Sequence, residues 1–410
     1  MRFLHCVGGL SPECGGPTEF LRQMSELQRD AGNVFEVLTL DSPDDPWIKR
    51  FPATVHALGP TALHYGFTPR LIPWLRSNRH RFDLVVFNGI WQYTSFGGWL
   101  SLRGTDTPYV VFLHGMLDPW FNRRYPLKRL KKYLYWPWAE YRVLRDARAV
   151  LFTSEEERLR ARNSFIPYRA REIVVPYGIR GPGGDPLAQR EAFLSRYPEL
   201  RGKRVLLFLG RIHEMKGCDL VLRAFARLAE RHQELHLVLA GPCAGNYGAR
   251  LRRDYERDQP GVSRRVTWTD MLAGDLKWGA FRTAEAFILP SHRENFGISV
   301  AEALACGVPV LISNQVNIWR EIQSDRAGLV EPDTVDGTSR LLERWLAVSE
   351  EEKQEMRLLA GQCFLRRFDM RGNFPRLLEI LQQCAAPAAA APRSAASPGP
   401  GSKESQIDAG

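Results

Sequence analysis

Residues 286–312 constrain this chain more than any other stretch. Ala286 to Leu289 is an apolar run that stops at Pro290, which predicts a short buried strand. The polar loop Ser291, His292, Arg293, Glu294, Asn295 follows, with Gly297 available for a tight turn. Ile298 to Cys306 then reads as a helix, closed by Gly307 and prevented from continuing by Pro309. Val308 to Ile312 is the next strand. Strand, loop, helix and strand in this order form one unit of a parallel α/β sheet. Such sheets bind ligands at the C-terminal ends of their strands, where helix N-termini point. This unit holds two carboxylates, Glu294 in the loop and Glu302 in the helix. Taken alone, that pair is equally compatible with an ordinary loop and an ordinary helix.

The same unit recurs along the chain. Arg2 to Val7 is a strand that runs into a glycine-rich loop, Gly8 to Gly16, with Pro17 suited to a first helical position. Phe20, Leu21, Met24 and Leu27 follow at helical spacing, and Val34 to Leu40 is a strand. The loop lacks both Gly-x-Gly-x-x-Gly and a Lys-Ser/Thr pair, so neither a dinucleotide fingerprint nor a P-loop is present. Leu84 to Phe87, Tyr109 to Leu113, Ala149 to Thr153 and Ile173 to Val175 are further strands. The first runs into Asn88, Trp91 and Gln92, the second into His114. A second series begins with Arg204 to Leu209, followed by Arg211, Lys216-Gly217 and a helix from about Cys218. An arginine fork and a lysine point charge at a strand–helix turn suit a pyrophosphate. Leu235 to Ala240 and Val266 to Thr269 continue this series, and helical spacing persists from Arg340 to Leu381.

These segments resemble one family. Glu294-x7-Glu302 enclosing Asn295-Phe296-Gly297 resembles the signature of retaining GT-B glycosyltransferases of the large family four. Gly210-Arg211-x4-Lys216-Gly217 matches that family's second signature, at the expected distance upstream. Pro176-Tyr-Gly-Ile179 resembles its interdomain segment, although Arg180 stands where an Asp is customary. The resemblance implies an α/β GT-B architecture: two Rossmann-like domains facing across a cleft, with the C-terminal helix crossing back. The expected parts are an acceptor-side domain over 1–180, a donor domain over 181–370, a returning helix over 371–384 and a disordered tail over 385–410.

By the same resemblance, Gly15 and Gly16 face the donor phosphates and Arg211 with Lys216 takes the leaving diphosphate. Glu302 holds the ribose, and Thr269 lies near the base. Glu294, the Asn295–Gly297 amides and His114 orient the sugar, while Asn88, Trp91 and Gln92 lie toward the acceptor. No metal or other cofactor is expected, and Asp41 to Asp45 reads as a turn rather than an Asp-x-Asp metal motif. A resemblance to bacterial surface-polysaccharide transferases implies a glycan or lipid-linked glycan as acceptor.

Composition adds the partners. A net charge of +10 implies anionic ones. Six basic and no acidic residues lie between Phe121 and Lys132, with Tyr133, Tyr135, Trp136 and Trp138 next. That combination over 123–138 suits peripheral contact with anionic lipid. Nucleic acid attracts the same residue types, but no recognition module is present. Seven scattered cysteines, without a Cys-x-x-Cys pair, fit a reducing cytoplasm and the cytoplasmic face of a membrane. The N-terminus reads as a strand rather than a signal peptide. The rival readings are a two-domain sugar- or anion-binding protein without transferase activity, and another GT-B enzyme such as a sugar-nucleotide epimerase.

Overall fold

The strands are short runs in which nearly every side chain is apolar, a pattern that demands cover on both faces and hence a parallel sheet. The computed structural model describes residues 1–11, 15–61, 65–124, 126–243 and 245–386. Its N-terminal sheet contains β1 (Arg2–Val7), β2 (Val34–Thr39), β3 (Thr54–Ala57), β4 (Leu84–Asn88), β5 (Tyr109–Phe112), β6 (Ala149–Phe152) and β7 (Glu172–Val174), ordered β3-β2-β1-β4-β5-β6-β7. The second contains β8 (Arg204–Leu209), β9 (Leu235–Ala240), β10 (Val266–Thr269), β11 (Ala286–Leu289), β12 (Val310–Ser313) and β13 (Gly328–Glu331), ordered β10-β9-β8-β11-β12-β13. All pairings are parallel, as in Phe3 opposite both Phe35 and Leu84. The two strands that the sequence pattern did not reveal, β3 and β13, lie at sheet edges. They are incompletely buried, so their polar residues break the apolar run.

Helices cover the sheets where apolar spacing predicts. Cys218–Ala229 buries Leu220, Val221, Phe225 and Leu228. The helix Gly16–Asp30 starts on Pro17 and buries Phe20, Leu21 and Met24. The last helix, Met370–Ala385, leaves the second domain and packs against β4 and β5 of the first, which is the crossing the sequence implied. Residues 387–410, which include most of the expected disordered tail, lie outside the described residues.

The two interdomain crossings run side by side. The Ile179 amide donates to Phe368 O at 2.9 Å and the Met370 amide to Ile179 O at 3.0 Å. A Cβ on Gly178 would stand 2.4 Å from Phe368 O, so only glycine permits this approach. Arg180, in place of the customary Asp, reaches Glu26 at 2.5 Å, and its amide donates to Gln23. An aromatic chain also links the domains: Phe20 stacks on Tyr177 at 4.4 Å, Tyr177 meets Phe296 at 4.7 Å and Phe296 meets Phe368 at 5.6 Å. The side chain of Phe296 therefore stabilises the domain junction, and burial of this kind is worth roughly 1.5–3 kcal/mol.

Candidate active site

Each sheet reverses its winding once, at β1/β4 in the first domain and β8/β11 in the second. Loops leaving neighbouring strands there diverge to opposite faces and open a crevice. Gly8–Gly16 follows β1, Gly89–Gln92 follows β4, Gly210–Gly217 follows β8 and Pro290–Gly297 follows β11. Most of the residues singled out from sequence lie on these four loops.

In the donor domain two loops are locked together. Gly217 is left-handed at φ 69°, and a Cβ there would meet Pro290 O at 2.3 Å. Met215 O accepts from both the His292 amide and Ser291 Oγ at 2.9 Å. This packing sets Lys216 Nζ directly against Glu294 Oε2, with both side chains mostly buried. The backbone of Glu294 is bonded in both directions, its amide to Gln315 O and its carbonyl to the Asn317 amide, each at 3.0 Å. Arg211 is exposed just past β8.

Glu302 lies one turn into the Ile298–Ala305 helix and accepts from Lys277 Nζ at 2.7 Å. Burial raises its pKa, opposed by Lys277. Lys277 was not among the expected site residues because nothing in its helix marks it. A Cβ on Gly16 would stand 2.7 Å from Ile298 Cδ1, so the glycine loop lies against the start of this helix across the cleft. Gly15 has a positive φ of 74° with ψ −134°, backbone that suits glycine. Thr269 ends β10, buried, with its hydroxyl donating to Asp270 O at 3.1 Å.

On the opposite side, His114 Nε2 and Asn88 Oδ1 are 3.3 Å apart, and Asn88 Nδ2 is 3.3 Å from His5 Nδ1. An amide oxygen only accepts, so Nε2 of His114 carries the proton and Nδ1 is left as an acceptor. Burial lowers His114 to about 4 and His5 to about 3, so both are neutral at pH 7. Asn88 is buried beneath His114 and orients it, rather than facing the cleft. Gln92 packs where a Cβ on Gly8 would be, 2.1 Å from its Oε1. Trp91 donates from its indole to Met116 O at 3.2 Å.

The lobes are latched beside the site. Arg293 Nη2 contacts Gly115 O, and its Nε lies 3.5 Å from Asp118 Oδ2. Asn295 Nδ2 donates to Thr153 Oγ1 at 3.1 Å. Glu157, buried, accepts from the Gly115 and Thr153 amides at 2.5 and 2.7 Å. The side chain of Asn295 is thus engaged across the interface.

The basic segment forms two helices, Pro119–Arg124 and Pro126–Tyr135, broken at a proline. Trp136 does not fit the interfacial role expected of it: it is fully buried, and its indole donates to Pro167 O at 2.7 Å. Leu127, Leu130 and Leu134 are exposed instead, at 84, 61 and 70%, beside Trp138. Their i, i+3, i+7 spacing places them on one helix face, but the charges between them interrupt the apolar pattern in the sequence. Among the described residues no helix is long and apolar enough to cross a membrane.

Comparison with known proteins bears on this arrangement directly. Residues 15–178 match the family described as "Glycosyl transferase 4-like domain", and residues 189–358 match "Glycosyl transferases group 1". The two matches fall one on each domain, and each is to a domain described as a glycosyl transferase. A curated relative, the D-inositol 3-phosphate glycosyltransferase of Corynebacterium jeikeium, is 33% identical over 171 residues, 40% of this chain and 39% of the relative. The match thus spans about two fifths of that relative's length. Sucrose-phosphate synthase from Thermosynechococcus elongatus superposes with a TM-score of 0.76 at 18% identity, covering 93% of this chain and 98% of that one. Alr3699/HepE from Anabaena, in complex with UDP and glucose, gives 0.73 at 17% identity, covering 93% and 99%. Two facing parallel-sheet domains with a returning C-terminal helix are the GT-B architecture, and these likenesses establish that fold.

Proposed function

We propose that this chain transfers a hexose, with retention of configuration, from a nucleoside-diphosphate sugar to a hydroxyl of a glycan or lipid-linked glycan during surface-polysaccharide assembly. Uridine is the favoured base, because the structural relative from Anabaena is described with UDP. The observation that carries the reading is the convergence of Gly15–Gly16, Lys216, Glu294 and Glu302 on one cleft between the winding reversals of both sheets. A binding protein without transferase activity is disfavoured by the two matching glycosyltransferase domains.

In this reading Arg211, Lys216 and the Gly15–Gly16 amides hold the leaving diphosphate, supplying the positive charge that a metal provides elsewhere. The diphosphate would draw Lys216 from Glu294 and free that carboxylate for a sugar hydroxyl. Neutral His114 would accept another hydroxyl through Nδ1. The C1–O bond to phosphate breaks as the bond to the acceptor oxygen forms on the same face. The acceptor's proton passes to the leaving phosphate oxygen, so no protein nucleophile is needed. The latch from Arg293 and Asn295 would keep water away. The test is the anomeric 1H signal of product made from an α-linked donor with a membrane glycan extract. An α-linkage is expected, and a β-linkage contradicts retention.

The acceptor reading places the protein on the cytoplasmic face of a membrane, consistent with its six described free thiols. The apolar stripe Leu127, Leu130 and Leu134, flanked by Arg129 and Lys131, would rest in an anionic surface. Replacing all three leucines by serine is expected to weaken sedimentation with phosphatidylglycerol vesicles about tenfold or more. Unchanged sedimentation would show that these leucines do not contact the membrane.

A further inference from the structure

Donor binding leaves one cluster on the acceptor side without a role. Trp91, at the end of the β4 loop, has φ 70°, a conformation that bulky residues rarely adopt and that clusters at functional sites. It is held there by Glu140, whose Oε1 accepts from the Trp91 amide at 2.8 Å and from Ser95 Oγ at 3.0 Å. Glu140 is fully buried, and its Oε2 has no hydrogen-bond partner among the described residues. Above the Trp91 ring, 4.4 Å from its centre, stands Lys132 Nζ. Lys132 projects from the Pro126–Tyr135 helix on the side opposite Leu127, Leu130 and Leu134. The hydroxyls of Tyr65 and Tyr135 meet beside the same carboxylate.

We propose that Lys132, seated over Trp91, binds a phosphate group carried by the acceptor close to the hydroxyl that receives the sugar. The inference rests on the transferase reading and gives its acceptor a chemical class. A half-buried ammonium requires a counter-charge. Among the described residues no carboxylate lies within salt-bridge distance of Lys132. Burial, and then Arg293, hold it down to about 8, against the opposing pull of the Glu140 carboxylate. Glu140 meets this need only in part: it attracts Lys132 from beyond salt-bridge distance, burial raises it to about 7, and its Oε1 serves Trp91 and Ser95. Arg293, reaching over from beside Glu294, adds a second positive charge where donor and acceptor would meet. A phosphate gives Lys132 its counter-charge and takes hydrogen bonds from the tyrosine hydroxyls. A neutral acceptor leaves Lys132 without that counter-charge.

The test uses the full chain with saturating UDP, so that the donor clamp is filled and offers no anion site. Glycerol 3-phosphate and glycerol are titrated calorimetrically into the wild type, Lys132→Met and Lys132→Arg. The expected result is binding of glycerol 3-phosphate but not glycerol by the wild type. Lys132→Met should weaken it about tenfold or more, Lys132→Arg should retain it, and UDP stabilisation should be equal in all three. Equal affinity in Lys132→Met, or no binding by a wild type that binds UDP, overturns the proposal. Failure of UDP itself to bind would instead overturn the transferase reading. Sedimentation with phosphatidylglycerol vesicles separates the source of the phosphate. It should be unchanged in Lys132→Met, and a loss there assigns Lys132 to lipid headgroups and refutes the acceptor site.

Discussion

Lys216→Ala is expected to lower sugar transfer by about 10²–10³-fold, the loss typical when one group stabilising charge in the transition state is removed. The lysine is mostly buried, set by Gly217 and the Met215 carbonyl bonds, and aimed at the mouth between β8 and β11. A leaving diphosphate gains negative charge as the glycosidic bond breaks, so a fixed ammonium there favours the transition state over the ground state. The same variant is expected to lose most of the thermal stabilisation given by UDP. Its own melting temperature should fall modestly, because the mostly buried Glu294 loses its cation but keeps some contact with solvent. A variant with near-normal transfer would show that the clamp lies elsewhere.

Glu294→Gln is expected to cost transfer at least as much while leaving UDP stabilisation intact. Two roles for this carboxylate are separable here. If Glu294 serves only to hold Lys216 in place, its loss frees the lysine and UDP binding falls with activity. If it orients the sugar once the diphosphate has claimed Lys216, activity falls alone. Glutamine keeps the size and the backbone anchors to Gln315 and Asn317, so the loop should survive the change. Parallel melting curves with and without UDP, set beside initial rates, distinguish the two. Joint loss of binding and rate contradicts the sugar-orienting role.

The sequence revealed the fold in proportion to how strictly burial dictates residue type. Strands β8, β9 and β11, covered on both faces, announced themselves as unbroken apolar runs, whereas edge strands β3 and β13 did not. The loops after β1, β8 and β11 were visible because glycine is required at fixed points, as Gly16 and Gly217 illustrate. What stayed hidden were partners supplied by distant elements. Lys277 meets Glu302, Thr153 meets Asn295, Gly115 meets Arg293, and Glu140 props Trp91, each brought together only by the packing of helices and loops. Asn88 and Trp136 show the converse. Their residue types suggested contact with ligand or lipid, yet tertiary packing places Asn88 beneath His114 and Trp136 inside the core.

In the proposed reaction the cleft between the two sheets takes a nucleoside diphosphate on Lys216. Its most direct test is thermal unfolding of the wild type and Lys216→Ala with UDP, GDP, ADP and TDP, without added metal. A ligand that binds only the folded chain raises the melting temperature with its concentration above Kd. A clear rise with UDP is expected in the wild type and should be largely lost in Lys216→Ala. No rise with any of the four, or an equal rise in both proteins, would contradict it.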